Sequence, residues 1–116
     1  MRADARNLRD CANDEILGNM EASYATDEVR THAAVVARAL SDPKRLCVLE
    51  RLAAGERSVS QLSREVGCQV PNMSQHLAVL RTAGLVASRK AGSTVFYRLT
   101  DNRVLDAYRL LQEVAG

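Results

Sequence analysis

Apolar residues recur at helical spacing along most of this chain, and the pattern breaks wherever a capping residue, Pro or Gly stands. Thr26-Asp27-Glu28 opens a first firm helix, in which Val29, Ala33, Val36 and Leu40 share one face. Ser41-Asp42-Pro43 ends it and restarts the chain: Asp42 suits a cap and Pro43 a first helical position. The second helix turns Leu46, Leu49, Leu52 and Ala53 inward and stops at Gly55. Ser58 caps a short third helix that buries Val59, Leu62 and Val66 and ends at Gly67. Gln69 or Val70 opens a fourth, with Pro71 tolerated in its first turn. Val70, Met73, Leu77 and Leu80 fall at its buried spacing, leaving Gln69, Asn72, Gln75 and Arg81 to solvent. After Gly84 the period changes to two. Leu85–Lys90 and Thr94–Leu99 predict strands around the turn Ala91-Gly92-Ser93. Asp101 starts a final helix with the stripe Val104, Tyr108, Leu111 and Ala115. Residues 1–25 are polar and interrupted by Asn13, Gly18 and Asn19, which predicts an arm or one or two weak helical turns before a single domain over 26–116. The expected fold class is mainly α with a small antiparallel β-hairpin, a winged helix-turn-helix.

Charge sharpens this picture. The 116 residues carry a net charge of only +2, yet from Val66 to Thr100 there is no Asp or Glu, while Arg81, Arg89, Lys90 and Arg98 all fall inside. A carboxylate-free basic segment built on helix-turn-helix suits a surface that meets DNA phosphates. Aromatic content of 3% with no Trp argues against modes that stack bases on aromatic platforms. No apolar run approaches the length of a membrane span, and Met1–Asn7 carries an acid and no apolar core, unlike a secretion signal. A soluble cytoplasmic protein is expected, with no membrane partner. Cys11, Cys47 and Cys68 are odd in number and form no CxxC pair, so no disulfide framework is expected.

Two helices joined by a short turn place the second at a steep angle, ready to enter a major groove about 12 Å wide. Gln69, Asn72, Ser74, Gln75 and His76 supply donors and acceptors for base edges. Ser58 and Ser60, at the start of the third helix, offer hydroxyls and free amides to a phosphate. Arg81, and the hairpin tip with Arg89, Lys90 and Gly92, complete the basic surface. An enzyme finds no support: there is no Gly-rich phosphate loop, and Ser74 and His76, two apart on a helix, do not face one another. No catalytic residue and no cofactor is expected. A winged-helix module that binds protein is the competing class, and the missing carboxylates argue against it.

Four stretches together resemble the ArsR/SmtB family of winged-helix bacterial regulators. They are Ala39-Leu40-Ser41-Asp42-Pro43-Lys44-Arg45-Leu46, Val59-Ser60-Gln61-Leu62, Met73 through Val86 with its Ser74-Gln75-His76-Leu77 core, and Val95-Phe96-Tyr97-Arg98-Leu99. The resemblance implies a homodimer paired through its first and last helices. It also implies binding of a double-stranded DNA operator by the fourth helix and wing, and repression relieved by an inducer. Two family metal sites lack their ligands here. Ser58 and Ser60 stand at the sulfur positions of the Cys-Val-Cys box, and a hydroxyl is a poor ligand for soft metals. Arg103 replaces the first His of the last-helix site, and the final turns contain no His. No metal is therefore expected. The family's paired-cysteine sensor keeps only Cys47. A thiol-reactive inducer (As(III), an oxidant or a sulfur species) would fall to Cys68, beside the N-terminal dipole of the reading helix, then to Cys47 or Cys11. Cys47 and Cys68 as small core residues, in a repressor with no thiol or metal sensing, is the other reading. The inducer itself is not identified by the residues.

Overall fold

Two side chains start two of the helices, and both are legible in the sequence. In the computed structural model, which describes residues 25–116, the Asp42 carboxylate accepts from the backbone N–H of Lys44 (2.9 Å) and of Arg45 (3.1 Å). Ser58 and Gln61 close a reciprocal capping box at 3.1 and 2.8 Å. The chain divides into two units, one ending at His32 and one running Ala33–Gly116. Cys11, and the predicted arm except Ala25, lie outside the described residues.

Helix α1 (Asp27–Ala39) crosses the boundary between the units. Thr26 caps it, its hydroxyl accepting from Val29 N–H at 3.1 Å. Helix α2 spans Pro43–Ala53, strand β1 Arg57–Ser58, helix α3 Val59–Val66 and helix α4 Val70–Thr82. Strands β2 (Val86–Ala91) and β3 (Thr94–Leu99) form the wing, and helix α5 covers Arg103–Ala115. Gly67 ends α3 with φ +85, a left-handed geometry in which Gly67 and Cys68 N–H both reach the Ser63 carbonyl, at 2.9 and 3.1 Å. Three residues, Gly67 to Gln69, thus join α3 to α4.

The sheet is larger than the predicted hairpin. Beyond β2 and β3, which pair antiparallel from Val86↔Leu99 to Ala91↔Thr94, β1 joins the other edge of β3 through Arg57↔Tyr97 and Ser58↔Phe96. A strand of two residues has no period to read, so only the partner defines it. The wing turns at Gly92, φ +63, which spares a side chain strain.

One core joins α2, α3, α4 and the sheet, with Leu49, Leu62, Met73, Leu77 and Leu80 fully buried. Two expected buried positions differ, Ala53 and Val70. Ala53 is exposed and Val48 takes its place, because the inward stripe of α2 is Val48, Leu49 and Leu52. Val70, the first residue of α4, is 47% exposed, since it stands one turn ahead of the first core contact, Met73. On α5 only Val104 is buried; Leu111 and Ala115 lie on the open side of the helix.

Tyr108 ties α5 to α2, its phenol donating to Glu50 Oε2 at 2.6 Å. That hydrogen bond holds the phenol above its ordinary value of 10.0. A raised folded-state value means the contribution is complete below the unfolded value and is lost as pH climbs through the folded one. Wild-type stability should therefore fall more steeply above about pH 10 than that of Tyr108→Phe. Urea midpoints at pH 7 and pH 11 check this, and equal losses in both proteins would show the bond to be inert.

Candidate nucleic-acid interface

The exposed side of α4 carries Asn72, Ser74, Gln75 and Arg81, and Gln69 stands exposed at its N-cap with no side-chain capping bond. Gln69, Asn72, Gln75 and Arg81 are exposed as expected from the spacing, and Ser74 is exposed with them. Met73, Leu77 and Leu80 anchor the opposite side, so the polar row is held by the core and not by its own contacts.

His76 is different. It is half-buried, with Arg45 Nη1 3.5 Å from its Nδ1 and Asp42 Oδ2 at 3.8 Å. Arg45 also donates from Nε to the Ala39 carbonyl (2.8 Å) and from Nη2 to the Arg38 carbonyl (3.1 Å). One guanidinium thus joins the last carbonyls of α1 to the reading helix. Both Arg45 and His76 lie in the stretches that carry the family resemblance, but residues thirty-one positions apart show no pairing in sequence. Lys44 supports the same region, its Nζ donating to the carbonyls of Val66 and Gly67, each at 3.2 Å.

The phosphate site expected at α3 is half occupied. The Ser58 hydroxyl accepts the Gln61 N–H as a cap and is half-buried, whereas Ser60 is exposed. The wing departs further. Arg89 is not free: its Nε and Nη2 grip both Glu56 oxygens at 2.8–3.1 Å, and its guanidinium lies 5.1 Å from the Phe96 ring centroid. This hydrogen bonding holds the Glu56 carboxyl below its ordinary value. Glu56 precedes the carboxylate-free stretch by ten positions, so a count along the chain excludes it while the sheet brings it back. Lys90 and Arg98 are exposed and, among the described residues, have no ion-pair partner.

Cys47 and Cys68 are half-buried free thiols packed against the core. Cys68 borders two shallow hollows, one of about 560 Å³ beside Ser60 and Arg64, the other of about 410 Å³ beside Asn72 and His76. Among the described residues no cluster of His, Cys, Asp or Glu has the makings of a metal site. No helix among them is long and apolar enough to cross a membrane.

Residues 42–88 match the family described as bacterial regulatory protein, arsR family. The chain is 49% identical over 69 residues to the HTH-type transcriptional regulator KmtR of Mycobacterium tuberculosis, covering 60% of this chain and 53% of that protein. It is 36% identical over 88 residues to the biofilm growth-associated repressor of Agrobacterium fabrum, covering 76% and 73%. Among solved structures it resembles a homodimeric winged helix-turn-helix DNA-binding domain from Mycobacterium bovis (TM-score 0.70, 32% identity, 77% of this chain and 82% of that one). It also resembles NolR from Sinorhizobium fredii (TM-score 0.69, 33% identity, 78% and 90%).

Proposed function

The chain belongs to the arsR family of bacterial regulatory proteins, a family of DNA-binding transcriptional regulators, and from that premise we propose that it is a homodimeric, cytoplasmic repressor of its own operator. The observation that carries the proposal is the exposed row Gln69, Asn72, Ser74 and Gln75 on α4, standing on a core-anchored helix in a stretch without carboxylates. In this reading α4 enters the major groove of double-stranded DNA, Ser60 and the α3 amides meet a phosphate, and Arg81, Lys90 and the Gly92 turn follow the backbone. His76 acts by positioning α4 through Arg45. Repression ends when an inducer binds.

Selection from a random duplex pool tests this directly. The expected product is a palindrome whose half-sites lie about 34–36 Å apart. A pool that yields no enriched sequence contradicts the proposal.

The Glu56–Arg89 pair gives a second measurement. Glu56→Gln removes the charge that competes with phosphate for Arg89. Affinity for all duplexes should rise, and the dependence of log affinity on log salt should steepen by roughly 0.9 for each phosphate that Arg89 then neutralises. An unchanged slope would leave Arg89 as a strut of the wing and take it out of the interface.

A further inference from the structure

The first turn of α4 holds two side chains that a polar reading surface does not call for. Val70 is 47% exposed and Pro71 beside it is exposed as well, between the polar Gln69 and Asn72. Pro71 also has no backbone N–H to offer. The N-terminal residues of a recognition helix are those that meet base edges. Resting on the DNA-binding reading above, we propose that Val70 is a specificity-determining residue that reads the 5-methyl group of a thymine in each half-site.

The major-groove edge of a base pair presents hydrogen-bond acceptors, amino donors and a single kind of apolar group, the thymine methyl. A valine laid against an acceptor or donor strips its water and returns no hydrogen bond, which disfavours G·C steps. Against a thymine methyl the same side chain removes apolar surface from water on both partners. The helix keeps Val70 in place at no cost to the core, because Met73 is the first residue of α4 to be buried. Gln69 and Asn72 then flank the apolar contact with groups able to read neighbouring bases.

The test uses the full chain and the duplex selected from the random pool. Each thymine of that duplex is replaced, one position at a time, by deoxyuridine, which deletes the methyl and leaves every hydrogen-bonding group. One thymine per half-site should be sensitive, with affinity lower by about fourfold for one half-site and about fifteenfold when both are changed. Val70→Ser should bind the thymine and deoxyuridine duplexes alike, with its thermal midpoint unchanged because the position is exposed. If wild type binds every deoxyuridine duplex as tightly as the parent, or if Val70→Ser keeps the methyl dependence, the inference is overturned while the DNA-binding reading stands. If no duplex is selected at all, both fall together.

Discussion

With Leu110 and Leu111 both replaced by Asp, the chain should run as a monomer at micromolar concentration and lose operator affinity by about 100-fold or more. These two leucines are 55% and 49% exposed, and Val114, one turn further on, is 85% exposed. Only Val104 near the start of α5 is buried, so the outer half of this helix presents apolar surface with no intramolecular cover among the described residues. Burying a leucine contributes roughly 1.5–3 kcal/mol, and a two-fold interface uses each residue twice. A pair of buried, unpartnered carboxylates per subunit reverses that gain. The loss on DNA follows because a monomer forfeits the second half-site, whose effective concentration in a dimer is in the millimolar range. The fold itself should survive, since neither leucine contributes to the core. A variant that remains dimeric and binds the operator as wild type does would place the interface elsewhere. Tyr108, expected from the stripe to share that interface, also donates a hydrogen bond to Glu50 of its own subunit.

Gln75→Ala should cost about 1–3 kcal/mol per half-site on the selected operator and almost nothing on random duplexes. Gln75 is exposed on α4 and, among the described residues, has no side-chain hydrogen bond, so its amide is free for the two-pronged contact that Gln makes with adenine. For the same reason stability should change by no more than about 0.5 kcal/mol. Binding isotherms on the two duplexes, with a urea midpoint as control, separate the effects. Equal losses on cognate and random DNA would reassign Gln75 to the backbone.

Much of the site is legible in the sequence because a helix's period reports which side faces the core. The spacing of Met73, Leu77 and Leu80 leaves Asn72, Ser74 and Gln75 on the opposite side of α4, where the structure has them exposed. His76 sits beside Leu77 in that period and groups with the polar row by residue type, but its surroundings are set by Arg45 and Asp42 on another helix and its cap. The neighbours of Arg89 in sequence carry no acid, which predicts a free guanidinium. Its partner Glu56 lies thirty-three positions earlier, across the sheet.

The sequence by itself determined the local elements: the Asp42 and Ser58 caps, the Gly67 turn between α3 and α4, the two wing strands, and the polar side of the reading helix. Each depends on interactions within a few residues, and residue type and period report those directly. The tertiary structure alone decided the third strand, the Arg45 link from α1 to His76, the Glu56 grip on Arg89, and the exposure of Val70. These turn on which surfaces meet when helices and sheet pack. A period records that a side is apolar, whereas the group that will stand against it is chosen by the fold.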